Sequence, residues 1–289
     1  MINLCALSDD KYLSKGMTLY DSLLENTDNF ILHYLCLDND SFGKIKKFEN
    51  KNFIVYHIEQ FLLKDKRLEY LHDNEYKYFC WCLASYFTQY LMSQNLGDIT
   101  YIDSDIYFHK DISIILNEIA NRDVGVFRHR QFELNWNVPS GIFNVGVVHF
   151  KNTDIGKKTL FWWHDAVLYK KYPQLAQCGD QKYLDAFVNL GDKLFCDGSI
   201  GHGAPWQWQI YNFDTYIQDG YIDWNGKRQE LIFTHFSQFE YDLQNNIYTP
   251  STMHHIYTPM EMYYNIPGLK YIYDNYFKKL KISIKRYSL

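Results

Sequence analysis

The order of apolar runs along this chain limits its fold more than any other feature. Asn3-Leu4-Cys5-Ala6-Leu7 reads as a short buried strand that breaks at Ser8-Asp9-Asp10. Met17, Tyr20, Leu23 and Leu24 then recur at helical spacing until Asn26-Thr27-Asp28-Asn29 stops them. A second apolar run, 31–37, closes in the turn residues Asp38-Asn39-Asp40-Ser41, and a short basic helix leads to a third run at 53–58. Phe79, Cys82, Leu83, Tyr86 and Tyr90 mark a helical stripe over 76–92. It ends near Asn95-Leu96-Gly97, ahead of the strand Ile99-Thr100-Tyr101-Ile102 and the polar triplet Asp103-Ser104-Asp105. Strands alternating with helices over residues 1–125 call for right-handed crossovers and a mostly parallel sheet. Such sheets bind ligands beyond their strands' carboxyl ends, which puts the triplet at the crevice.

After Asp111, a good N-cap for a helix over 112–120, the pattern changes. Residues 124–127 and 141–150 read as strands, 153–169 and 180–188 as helices, and Asp219-Gly220 and Asn225-Gly226 as hairpin signals between 216 and 233. No Pro/Gly/Ser-rich linker and no internal repeat interrupts the chain. The expectation is an α/β protein with a Rossmann-like, mostly parallel sheet continuing into a mixed α+β half. It forms one domain over 1–269, with a nucleotide-binding half at 1–125 and a sugar and acceptor half at 126–269, followed by a basic aromatic tail at 270–289.

Composition excludes several classes. With 47% hydrophobic and 22% charged residues, the chain can bury a core and lies outside the regime of disordered sequences. The tail carries six basic side chains against the single acid Asp274, so the rest of a chain whose net charge is −5 is strongly acidic. An acidic body argues against nucleic acid as a partner, because phosphate contacts draw on a clustered basic surface. Six cysteines without C-x-x-C spacing suggest buried thiols in a reducing compartment. No segment approaches eighteen consecutive apolar residues and Met1-Ile2-Asn3-Leu4 lacks a secretory n-region, so a cytoplasmic location is expected. The aromatics (26 Tyr, 20 Phe, 7 Trp) suit either ring-stacking surfaces or a biased genome.

The chemistry concentrates at Asp103-Ser104-Asp105. In an extended segment residues i and i+2 face one side, so the two carboxylates converge. Paired oxygen ligands suit a hard divalent cation that keeps open positions for substrate phosphates. A solvated turn after a strand has the same pattern; the aliphatic strand in front favours the ligand crevice.

In combination, the motifs resemble those of GT-A fold glycosyltransferases that use nucleotide-sugar donors, most closely glycosyltransferase family 8 and its relatives. The ordered motifs, spanning the chain to about residue 240, are Cys5-Ala6-Leu7-Ser8-Asp9-Asp10-Lys11-Tyr12, Tyr101-Ile102-Asp103-Ser104-Asp105, Phe143-Asn144-Val145-Gly146-Val147, Gly179-Asp180-Gln181, Gly203-Ala204-Pro205-Trp206 and Thr234-His235-Phe236. The resemblance implies that Asp103, Asp105 and His235 hold Mn2+ or Mg2+ against the donor's diphosphate, and imidazole beside carboxylates suits Mn2+. It implies that Leu7, Ser8, Asp9 and Tyr12 hold the nucleoside, with Tyr12 stacking on the base, and that Ile102 and Ser104 flank the donor. Asn144, Asp180 and Gln181 would meet the sugar and the reacting face, and Pro205 and Trp206 the phosphate or acceptor side. The donor would be a UDP-sugar, the acceptor a glycan or lipid-linked saccharide, and the outcome retention at the anomeric carbon.

For Tyr12 and Asp180 the sequence leaves a plain structural role open, a packing tyrosine and a first-turn acid; Trp206 and Trp208 suit either stacking on a sugar ring or aromatic core, and Arg128, His129 and Arg130 either contact with phosphate or acceptor or a solvated basic loop. Two departures from the family pattern stand out. The helix over 76–92 has no arginine, Lys77 being its nearest cation, and Ser237-Gln238-Phe239 replace the glycine and lysine usual after the histidine. Competing readings are a metal-dependent nucleotidyl- or phosphotransferase, which would also use D-x-D after a strand, and a non-catalytic carbohydrate-binding protein, which would not need Asp103, Asp105 and His235 together. The tail alternates Tyr271, Tyr273, Tyr276, Phe277 and Leu280 with lysines, a pattern that suits either peripheral contact with anionic lipid or a solvated basic helix or strand packed on the domain.

Overall fold

The apolar runs become strands whose burial follows from their place in the sheet. In the computed structural model, which describes residues 1–130, 139–252 and 260–289, the strands are β1 (Ile2–Ser8), β2 (Phe30–Cys36), β3 (Phe53–His57), β4 (Ile99–Ile102), β5 (Ile106–Phe108), β6 (Val124–Arg128), β7 (Phe143–Phe150), β8 (Leu194–Cys196), β9 (Gly201–Gly203), β10 (Tyr211–Asn212), β11 (Tyr221–Trp224) and β12 (Lys227–His235). A two-stranded ribbon, Glu240–Asp242 with Ile247–Thr249, follows them.

The chain divides into two compact units. The first comprises Met1–Lys11, Asn29–Asp103 and Ile119–Asp197. It is built on a sheet of order β3-β2-β1-β4-β7-β6-β8, in which β7 alone runs antiparallel to its neighbours. The expected mostly parallel sheet is therefore present. All four residues of β4 are buried, as befits a strand covered on both faces. Helix Tyr76–Ser93 sets Phe79, Leu83 and Phe87 into the main core, where helix Asp154–Leu168 contributes Leu160 and Trp163. Thr153 caps the second of these, its hydroxyl accepting from Gly156 N–H.

The second unit comprises Tyr12–Asp28, Ser104–Glu118 and Gly198–Leu289. Its sheet has the order β10-β11-β12-β5, with β9 also pairing to β12. Asn225-Gly226 makes the expected hairpin, both residues at positive φ (50° and 73°) between β11 and β12, as a two-residue turn requires. Asp219-Gly220 does not. Gly220 takes the left-handed conformation (φ 77°) and its N–H bonds to Tyr216 O, so the pair ends the short helix Tyr216–Asp219 instead. The expected helix over 180–188 is likewise revised, since Gln181–Lys193 winds as a 3-10 helix broken at Gly191.

Helix Leu13–Asn26 holds β5 through its polar groups: Asn26 Nδ2 donates to Phe108 O and Phe108 N–H donates to Ser22 Oγ. The basic tail lies in helix Pro267–Tyr287, and most of its apolar residues go inward. Ile272, Tyr273, Tyr276, Phe277 and Leu280 join Trp208, Phe236 and Phe239 in this unit's core. Its end is fixed at buried Asp21, whose carboxylate accepts from Ser283, Arg286 and Tyr287.

Candidate active site

Strand register brings the imidazole to the acids. In the antiparallel β5–β12 pair His235 lies opposite Ile106, and Phe236 N–H donates to Asp105 O at 2.8 Å, so His235 is beside the residue that precedes β5. His235 Nε2 lies 3.0 Å from Asp105 Oδ1, with both residues buried. Phe236 fixes this arrangement from behind, stacked on Tyr276 with ring centres 3.6 Å apart. Trp206 packs edge-on against the His235 ring, 5.5 Å between centres, because β9 runs parallel to β12 with Gly203 opposite Thr234. Pro205 opens the buried 3-10 turn that carries Trp206. Trp208 is a core residue against Tyr263 and Tyr273.

Asp103 ends the segment Asn29–Asp103 of the first unit, and Ser104, buried, begins the segment Ser104–Glu118 of the second. One ligand atom from each of Asp103, Asp105 and His235 lies within 4.8 Å of the other two. Burial raises the Asp105 pKa, but the His235 charge and hydrogen bond, together with the Lys15 charge, outweigh it and hold the carboxyl below its ordinary value. The group is ready to ligate as an anion. Two carboxylates and an imidazole at this spacing fit a six-coordinate Mn2+ or Mg2+ that retains positions for substrate oxygens.

Around Asp103 the first unit builds a hydrogen-bonded frame. Tyr101 OH donates to Asp103 Oδ1 at 2.7 Å, and Asp103 N–H to Gly146 O at 2.9 Å. Gly146 N–H donates to Asn144 Oδ1, and Asn144 Nδ2 donates to Gln181 Oε1, each at 2.9 Å. Gln181 also accepts from Val145 N–H and donates to Ser140 O, so its amide clamps the turn that leads into β7. Asp180 is 4% exposed, its carbonyl accepts from Trp163 Nε1, and burial followed by the Asp103 charge raises its carboxyl well above the ordinary range. Just before it, Gly179 takes φ +58°, and a Cβ there would lie 2.4 Å from the Trp81 ring. Only glycine fits that corner.

The first turn is tied down separately. Ser8 shares a hydrogen bond with Tyr34 OH, and Asp38 accepts from Asp10 N–H while Lys44 bonds to the Asp10 carboxylate. Leu7 pairs in register with Leu35 and is half-buried, as are Asp9 and Tyr12. The Lys15 ammonium lies over the Tyr12 ring. Ile102 is fully buried in β4, where it pairs with Val147 of β7. Lys77, the cation nearest the missing arginine, is exposed and lies 5.0 Å from the centre of the Trp81 ring. Arg130 is instead paired with Asp197 in the interior, and the rest of the loop up to Pro139 falls outside the described residues.

Sequence reasoning missed Tyr101, Lys15 and the Asp10–Asp38–Lys44 tie. Tyr101 stood in plain view two residues before Asp103, but a strand tyrosine reads as core. Lys15 carried no signal, because a lysine three residues after a turn reads as solvated.

No protein-family model matches the chain. It is 28% identical over 256 residues to the uncharacterized protein YfnF of Bacillus subtilis (strain 168), covering 81% of this chain and 80% of that one. YfnD of the same organism is 26% identical over 242 residues, covering 79% and 75%. Among solved structures it resembles the galactosyltransferase LgtC in complex with donor and acceptor sugar analogs, with a TM-score of 0.54, 12% identity, and 81% of this chain and 86% of that one covered. Mouse xyloside xylosyltransferase 1 gives a TM-score of 0.51 at 15% identity, over 85% of this chain and 99% of that one. At such identities the likeness is one of fold, and the fold is that of the GT-A glycosyltransferases.

Proposed function

We propose that this protein is a metal-dependent glycosyltransferase that moves a sugar, a hexose from UDP-hexose, to a hydroxyl of a glycan or lipid-linked saccharide. The observation that carries the reading is the convergence of Asp103, Asp105 and His235 on one point at the end of β4 in a GT-A fold. These three side chains would hold Mn2+ or Mg2+. The ion, when bound, offers Lewis-acid stabilisation to the charge that grows on the leaving diphosphate.

The remaining steps belong to the chain itself. Leu7, Ser8 and Asp9 offer the nucleoside a turn kept rigid from below by Tyr34 and Asp38, and Tyr12 offers a ring face for the base. The backbone at Ile102 and Ser104 lies beside the carboxylates. Asn144 and Gln181 brace each other, and in this reading they and Asp180 orient the sugar. Pro205 and Trp206 shape the side on which the diphosphate leaves. Retention at the anomeric carbon follows from the family resemblance; proton NMR of the product anomer tests it.

One further reading is separate from the chemistry. Among the described residues no helix is long and apolar enough to cross a membrane. Peripheral contact through 270–289 then falls to outward residues such as Tyr271, Lys278, Ile282 and Lys285, because the other aromatics are in the core. Flotation with vesicles containing anionic lipid, before and after charge reversal at Lys278 and Lys285, tests this contact.

The central experiment is a thermal-shift titration with UDP, Mn2+ and both, followed by a screen of nucleotide sugars for slow donor hydrolysis. Stabilisation by UDP that needs Mn2+, with hydrolysis of one donor class, is the expected result. Stabilisation by free sugars without metal, with no donor turned over, refutes the reading.

A further inference from the structure

The two carboxylates of the centre are held in different ways. Asp105 Oδ1 is engaged by His235 Nε2 at 3.0 Å, a partner from within the candidate ligand set, so an ion that binds both takes that contact over. Asp103 Oδ1 accepts instead from the Tyr101 hydroxyl at 2.7 Å, and a neutral phenol is not one of the ligands. This second hydrogen bond can persist when a metal arrives. Hydrogen bonds to an ionised carboxylate are short and roughly twice as strong as neutral ones.

The sheet makes Tyr101 a rigid peg. It pairs with Cys5 of β1 on one side and with Val148 of β7 on the other, and is only 4% exposed. Positions i and i+2 of an extended backbone share a face, so its ring runs beside Asp103. The Asp103 backbone is anchored as well, its N–H donating to Gly146 O at 2.9 Å. With the backbone and Oδ1 both tied, the carboxylate has little freedom to turn.

That restraint bears on which cation fits. Mg2+ and Mn2+ take about six ligands in near-octahedral order and are served by carboxylates that give one oxygen each. Ca2+ takes roughly six to eight oxygens and often draws on both oxygens of a carboxylate. Chelation by both oxygens of Asp103 would need the Oδ1 lone pairs that Tyr101 uses, whereas ligation through one oxygen leaves the tyrosine bond intact.

We propose that Tyr101 is a positioning residue that holds Asp103 to one-oxygen ligation and thereby makes this centre selective for small six-coordinate dications over Ca2+. The proposal rests on the metal-dependent reading above and supplies the basis of its choice of ion.

The test compares wild type with Tyr101→Phe, which keeps the ring and removes only the hydroxyl. Mn2+ binding is followed by loss of the free-ion EPR signal and Ca2+ binding by calorimetry, each with the metal alone. In Tyr101→Phe the Mn2+ affinity should fall by about tenfold or more, while the Ca2+ affinity stays within about threefold of wild type or rises. The preference for Mn2+ over Ca2+ then narrows by about threefold or more; any smaller change overturns the proposal, whether both affinities hold or both weaken together as a packing role requires. Wild type supplies a check that needs no variant: Ca2+ should bind at least about tenfold more weakly than Mn2+, and a smaller gap overturns the proposal. Wild type that binds no Mn2+ overturns the metal-dependent reading and the proposal with it; wild type that binds Mn2+ with a selectivity that Tyr101→Phe retains overturns the proposal alone.

Discussion

Lowering the pH from 7 to 5 should weaken the first unit through its buried imidazoles, His33 and His149, and for His149 the size of the effect follows from the structure. His149 lies in β7 opposite Thr100 of β4, is 5% exposed, and its Nδ1 shares a 2.9 Å hydrogen bond with Thr100 Oγ1. Burial is the main influence on it and lowers its pKa from 6.5 to about 4; Asp98 opposes that slightly and Lys151 adds to it. A base whose folded pKa is depressed binds protons more readily when the chain is unfolded. Its contribution is therefore full above pH 6.5 and is lost as the pH falls toward about 4. At pH 5, one and a half units below the unfolded value, the loss is about 2 kcal/mol at ~1.4 kcal/mol per unit. That is a large part of a domain's net stability.

The assay is urea unfolding followed by tryptophan fluorescence at pH 7 and pH 5, on wild type and on His149→Gln, which preserves a hydrogen-bonding partner for Thr100. Whatever offset the variant shows at pH 7, it should lose about 2 kcal/mol less than wild type on going to pH 5. Equal losses in the two proteins would show that His149 does not carry the linkage.

Other consequences are as direct. Asp105→Ala and His235→Ala should each leave a folded protein with transferase activity lower by about a hundredfold or more, and near wild-type turnover in both refutes the metal assignment. Gly179→Ala forces a Cβ into Trp81 at a backbone angle (φ +58°) that suits glycine. It should lower the melting temperature and, by shifting Asp180 and Gln181, cut kcat by about tenfold or more, measured with the donor found in the screen. Asp21→Ala removes the acceptor shared by Ser283, Arg286 and Tyr287 and should cost about 2 kcal/mol or more in urea unfolding, with the C-terminal helix losing amide-exchange protection first.

Much of the first unit could be read from residue order, because a strand buried on both faces must be a short apolar run and a crossover helix must show a stripe. Ile2–Ser8, Phe30–Cys36, Phe53–His57 and Ile99–Ile102 all came out where periodicity put them. The convergence of Asp103 and Asp105 was legible for the same local reason, since two positions along an extended backbone share a side. What spacing in the sequence could not supply was contact between distant segments. The register of β12 against β5 brings His235 to Asp105, and the family motif anticipated that meeting without giving its cause. Long-range burial turns Lys15 from a surface lysine into an interior charge and sets the basic tail's aromatics into a core. Those outcomes depend on desolvation and packing between segments, quantities that no local pattern encodes. The turns show the same division at short range: Asn225-Gly226 became a hairpin and Asp219-Gly220 a helix end, because the flanking chain decides which left-handed corner a glycine serves.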